Sequence, residues 1–170
     1  MKLSSHFAGA ALKEYTCRIS ARQIMNYAAA IGDSNPFYFN DESPEGIIAP
    51  PLFPVAVTWP VVENIMSYLP EETIPLEVLF TQVHYSEHLI IHQPVRPDSV
   101  LAIQGTIAAV MPHRAGTYVI IRFDARDAGG NPLFTEYIGA MMRGVECADD
   151  GKGGESLLPV PAAPKEAAAL

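Results

Sequence analysis

Four long runs rich in β-branched and aromatic residues, at 80–92, 100–110, 117–126 and 133–145, constrain this chain most. Strands of that length must pair with neighbours and cover one face. The stretches between them, 94–98, 111–116 and 127–132, carry turn chemistry, and Asp127-Ala128-Gly129-Gly130-Asn131-Pro132 is a hairpin signal. An opening strand at about 12–18 makes five. The cover for their apolar face is a segment at about 55–68, where Val57, Val61 and Ile65 recur at helical spacing beside Val62, Met66 and Leu69. Pro60 falls inside this segment and fits only a first turn or a kink, which leaves the helix start open. The expected fold is α+β: one domain in which a long antiparallel sheet of five or more strands wraps a central helix. A chain of 170 residues, 49% of them hydrophobic, suits one such core.

Ahead of these elements, Ser20 followed three residues later by Gln23 is a capping box, and Ile24, Tyr27, Ala28 and Ile31 continue at helical spacing. A helix over about 21–31 follows, with Gly32 as its stop. Asp33-Ser34-Asn35-Pro36 is turn chemistry, because Asx side chains bond nearby amides and the residue before proline leaves the helical region. An acid therefore sits just past a helix end. Residues 41–54, rich in proline and glycine, form an extended loop.

Nineteen acidic against eleven basic residues give a formal charge of −8, and the cations are scattered, which argues against nucleic acid or an anionic membrane as partner. No apolar run reaches the roughly 20 residues needed to span a bilayer, and the first residues lack a basic region followed by an apolar stretch. The expected location is cytoplasmic. Cys17 and Cys147 lie far apart and in no metal-binding spacing, so both read as ordinary thiols and no metal site is expected. The domain is expected over 1–147, with 148–170 as a flexible tail of Gly, Pro, Ala, Lys and Glu without periodicity.

The order of Ala30-Ile31-Gly32-Asp33-Ser34-Asn35-Pro36, Gly46-Ile47-Ile48-Ala49-Pro50-Pro51-Leu52-Phe53 and His92-Gln93-Pro94-Val95-Arg96-Pro97-Asp98 resembles the MaoC-like dehydratases. The nearer resemblance is to the N-terminal MaoC-like, fungal fatty-acid-synthase-like dehydratase, a hot-dog domain, over roughly residues 10–145. In that family a D-x-N-P-x-H signature holds the water that adds across an enoyl thioester. Carried over, the resemblance makes Asp33 and Tyr38 the catalytic positions, with tyrosine where the signature has histidine. It makes Asn35, Phe37, Ile48, Ala49, Phe53 and His84 candidates for binding substrate. An unaided phenol is a poor base near neutral pH, although it can donate a hydrogen bond or proton. The family's His-Gly pair is replaced by Ala49-Pro50, and proline offers no amide hydrogen to an oxyanion.

The resemblance implies an acyl thioester of coenzyme A or acyl carrier protein as substrate and no further cofactor. It also implies a homodimer, or a heteromer with a motif-bearing MaoC-like subunit. Three activities stay open: hydration or dehydration by this chain, a non-catalytic acyl-binding role beside an active partner, and thioester hydrolysis. Plainer readings stand beside each residue. Asp33 and Asn35 can simply cap their own turn. Phe37, Phe39, Ile47, Ile48, Leu52 and Phe53 can line an acyl tunnel or pack a core. Three dispersed arginines, Arg96, Arg114 and Arg122, are a weak phosphate signal.

A rival motif, His84-Tyr85-Ser86-Glu87-His88, spells the H-x-x-E-H of inverse zincins. On a strand the two imidazoles stand roughly 13 Å apart at about 3.3 Å per residue, too far for one metal. The same alternation predicts His84, Ser86, His88, Ile90 and His92 on one polar face.

Overall fold

The computed structural model describes residues 1–70 and 74–157. Five strands form one antiparallel sheet in the order β2-β4-β5-β6-β3, with β2 at Tyr15–Arg18, β3 at Gln82–Ile91, β4 at Val100–His113, β5 at Gly116–Arg126 and β6 at Pro132–Arg143. This is the expected α+β arrangement. A parallel pair, β1 at Lys2–Leu3 with β7 at Glu146–Cys147, lies outside it. The hairpin between β5 and β6 closes as its sequence predicts: Asp127 Oδ1 accepts from the amides of Gly129 at 2.9 Å and Asn131 at 2.8 Å.

Among the described residues, four α-helices accompany the sheet: α1 at Ala21–Ala30, α2 at Phe53–Glu63, α3 at Ile65–Tyr68 and α4 at Leu76–Leu79. The expected central helix is thus two helices broken at Asn64. It also begins earlier than Val55, at Phe53, with Pro54 in the first turn, so Pro60 stands in the interior. Proline withholds the bond that position would give the preceding turn. The helix persists because Phe53, Val57, Thr58 and Val61 are buried, so tertiary packing outweighs a local penalty.

Paired residues share a face, which assigns the sheet's interior. Ile103 pairs with Ala125, Gly105 with Phe123, and Ile107 with Ile121, which in turn meets Ile138 on β6. Ile107 and Phe123 are completely buried in the cluster that also holds Val57, Val61 and Ile65. Burial of one such side chain contributes about 1.5–3 kcal/mol.

The segment expected to loosen at 148 is fastened as far as residue 157. Ala148 N donates to Leu3 O at 2.9 Å, and Asp149 accepts from Ser4 Oγ at 2.9 Å and from Ser5 N at 3.0 Å. These donors hold the Asp149 carboxyl well below the usual carboxylate range, the Ser5 amide first among them. Lys152 and Val110 then exchange both backbone bonds, beside a bulge in β4 at Ala108. Gly153, at φ +88°, packs against the Ala108 carbonyl where a side chain has no room. A glycine-rich stretch reads as a tail in sequence yet here permits close approach of two backbones. The remainder of the expected tail, 158–170, lies outside the described residues.

Gly139 on β6 is a second tight point: a β-carbon there would fall on Ser86 Oγ and within 2.6 Å of the Tyr118 hydroxyl, two groups that hydrogen-bond each other. Gly139→Ala is expected to cost about 1–3 kcal/mol in chemical denaturation, partly recovered when Ser86→Ala is added. Equal stability of the single variant and the parent refutes this packing account.

Candidate functional site

The exit of α1 is built by a Schellman turn. Ser20 and Gln23 form the reciprocal cap at its start, with Ser20 N donating to Gln23 Oε1 at 2.8 Å and Gln23 N to Ser20 Oγ at 3.2 Å. At its end Gly32 N donates to Ala29 O and Asp33 N to Ala28 O, at 3.1 and 3.0 Å, while Gly32 takes φ +71°. Asp33 leaves the helix in a fixed direction. Its Oδ1 accepts from Asn35 N at 3.0 Å, and Asn35 Oδ1 accepts from Phe37 N at 3.1 Å. Two consecutive Asx turns thus lead into a 3₁₀ turn at Pro36–Tyr38. The second oxygen of Asp33 accepts no hydrogen bond from the described residues.

Tyr38 is buried, 8% exposed, and its hydroxyl bonds to none of the described residues. The loop after it is tied down from both sides. Ile48 N donates to Phe37 O at 3.0 Å, Ala49 N to Val95 O at 2.8 Å, and Arg96 Nη1 to Glu45 O at 2.6 Å. Arg96 therefore holds the loop. Asp33, Asn35, Phe37, Tyr38, Ile48 and Ala49 belong to one connected piece of backbone between α1 and α2, as the motif order implies. The apolar set does not form one slot: Phe37 and Leu52 are exposed at 61% and 58%, and Ile47 is buried in the core.

Two cavities flank α2 instead. One, about 220 Å³, lies between the helices and the sheet, lined by Trp59, Val62, His84, Ile121, Ile138 and Ala140 among others. The other, about 390 Å³, opens between β2, α1 and α2 beside Tyr15, Cys17, Gln23, Tyr27 and Phe53. Neither touches Asp33. Tyr27 packs edge-on against Phe53, and its hydroxyl donates to Leu52 O at 3.2 Å. Burial pushes the Cys17 thiol up, away from reactivity.

His84 reaches the first cavity through an irregularity. His84 pairs with Ala140 and Ser86 with Gly139, so Tyr85 is an extra residue on β3. The expected single polar face of His84, Ser86, His88, Ile90 and His92 is therefore corrected: His84 lies on the interior side with Ile138 and Ala140, while Ser86 and His88 lie outside. On the outer face His88 stacks near Tyr137, Arg122 lies over the same ring, and His92 meets Thr135 at 3.1 Å. Arg122 also pairs with Asp124 at 2.8 Å, which together with partial burial makes it a structural cation.

Motif reading passes over Glu136 and meets Glu87 only inside the rejected H-x-x-E-H run. Glu136 is completely buried, and burial, reinforced by the nearby Glu87, pushes its carboxyl up to about 8 despite the opposing Thr58 hydroxyl. Burial raises Glu87 to about 7. Alternation carried the signal, since Phe134, Glu136 and Ile138 share a parity, as do Glu87 and Leu89.

The family model described as "FAS1-like, dehydratase domain region" matches residues 6–136. A UPF0336 protein of Streptomyces coelicolor is 25% identical over 134 residues, covering 75% of this chain and 86% of that protein. Among solved structures, the C-terminally truncated HadBC complex of Mycobacterium tuberculosis, a 3R-hydroxyacyl-ACP dehydratase, aligns with a TM-score of 0.68 at 16% identity. It covers 81% of this chain and 98% of that one. The R-hydratase PhaJ1 of Pseudomonas aeruginosa aligns at 0.59 and 16% identity, covering 92% of both chains. At such identities the structural matches establish the hot-dog fold.

The turn bond at Asp33 uses one carboxylate oxygen and can be tested by itself. Asp33→Asn keeps an oxygen for the Asn35 amide and is expected to change folding stability by less than about 0.5 kcal/mol, whereas Asp33→Ala costs about 1 kcal/mol. Denaturant titration of both checks this; equal losses show that the turn bond contributes nothing.

Proposed function

The chain belongs to the FAS1-like dehydratase domain region family of MaoC-like hot-dog proteins, and on that premise we propose that it is the acyl-binding half of a two-part acyl-thioester hydratase or dehydratase. The observation that carries this reading is Tyr38: a buried phenol stands where the family places its imidazole. Moving water on or off an enoyl thioester needs one group to take a proton from water and one to exchange a proton at the α-carbon. Asp33 offers a single carboxylate whose Oδ1 serves its own turn. Pro50 further removes an amide from the loop entering α2.

In this reading the substrate is a thioester of coenzyme A or acyl carrier protein, and the reaction asks for no other cofactor. The acyl chain enters the apolar cavity between α2 and the sheet, with His84 at its wall. Asn35, Phe37, Ile48 and Ala49, in the segment between α1 and α2, and Phe53, at the second cavity, are left to the remainder of the thioester. The mate supplies the acid–base pair and adds along β3, the long free edge of the sheet, where Val83, Tyr85 and Ile91 are exposed. Heteromeric assembly in the HadBC complex supports such a division of labour. That mate is a motif-bearing MaoC-like subunit, since a second copy of this chain brings the same Tyr38.

A second reading is favoured by the unbonded Oδ2 of Asp33: that oxygen holds the water and Tyr38 donates the second proton, so the chain works alone. One assay separates the two. Crotonyl-CoA hydration is measured with the purified chain, then with candidate motif-bearing partners, each with the parent and with Asp33→Asn. The acyl-binding reading expects no turnover alone, turnover on mixing, and the same rate with Asp33→Asn. Turnover by the lone chain that falls at least about 100-fold in Asp33→Asn establishes the second reading instead. Release of free thiol marks hydrolysis.

A further inference from the structure

Glu87 and Glu136 sit diagonally across the β3–β6 ladder, where Glu87 pairs with Ile138 and Leu89 with Glu136. Diagonal neighbours of this kind lie within reach of long side chains. All four carboxylate oxygens are shut off from solvent and lack a partner in hydrogen-bond geometry among the described residues; the Thr58 hydroxyl is close enough to favour an ionised Glu136 but directs its proton to the α2 backbone. Among the described residues, the elements packed around them bring no cation. β5 contributes Phe123, opposite Glu136. α2 contributes Thr58, whose hydroxyl donates to Val55 O at 3.1 Å and Pro54 O at 3.4 Å. His88 is on the outer face, and His84, beyond the bulge, bonds to neither acid. Among the described residues, the charged group acting on Glu136 is Glu87, and the side chain bonding to Glu87 is Glu136.

Two buried carboxylates in such surroundings cannot both ionise without severe repulsion and desolvation. We infer that Glu87 and Glu136 share one proton in the folded protein at neutral pH, one carboxyl donating to the other, so that the edge strand β3 is held most firmly while the proton stays. Losing it to bulk water leaves two adjacent anions with nothing to neutralise them. The pair bears on β3, the strand proposed above to receive the mate, but the inference stands whatever the chain catalyses.

Both carboxyls are raised above their ordinary value, so the folded chain binds more protons than the unfolded one between about pH 4.5 and 8. Their contribution is complete below that window and is lost as pH rises through it.

The test uses the protein in the assembly in which it purifies. Infrared difference spectra at pH 7 should show the C=O stretch of a protonated carboxylic acid, absent from Glu136→Gln. Glu136→Gln gives Glu87 a permanent amide donor, so its Tm at pH 9 should exceed the parent's by roughly 5 °C, with a flatter fall between pH 6 and 9. Glu87→Gln repeats both measurements should the first variant fail to fold. A parent spectrum without the acid band at pH 7, or variant and parent Tm values falling in parallel, overturns the inference.

Discussion

The five-stranded sheet has one face to bury, and α2 is the element that covers it. Every inward position on β4, β5 and β6 must therefore suit the same apolar contact with Val57, Val61 and Ile65, and Ile103, Ile107, Phe123 and Ile138 do. That requirement is strong enough to keep α2 helical through Pro60. It also makes Glu87 and Glu136 conspicuous, since they occupy inward positions where hydrocarbon is the rule.

The region between α1 and α2 obeys a different logic. Its shape comes from side chains bonding their own backbone, Asp33 to the amide of Asn35 and Asn35 to that of Phe37, and from Arg96 gripping Glu45 O. Such a segment is rigid without being a core. The acid it presents is positioned as firmly as a catalytic group needs to be, but its companion is a buried phenol. On the function proposed above, the chain keeps the scaffold of its family's chemistry and part of the reagent set, and a partner completes it.

Much of this was legible in the sequence where local chemistry decides. Ser20 and Gln23 announced the start of α1, Gly32 its end, Asp127 to Asn131 the hairpin, and the four β-rich runs became four strands. Signals failed where a distant surface decides. Pro60 looked like a boundary because the burial that overrides it is tertiary. Gly151 and Gly153 looked like a linker because their positive φ angles serve β4, which is remote in sequence. The two buried acids had the correct parity, but no motif marks a carboxylate meant to be neutral. The bulge in β3 had neither glycine nor proline to betray it.

That bulge also governs where the chain tolerates a change of length. Tyr85 is the surplus residue between two correctly phased halves of β3, and its ring stacks only on Tyr118 and His113 at the sheet surface. Its excision heals the ladder with His84 and Ser86 still on their present sides. An indel at any other point of the strand inverts everything beyond it, carrying imidazole out of the cavity or carboxylate into water. A one-residue gap in this strand keeps the same interior when it falls at the bulge, at position 85 or 86.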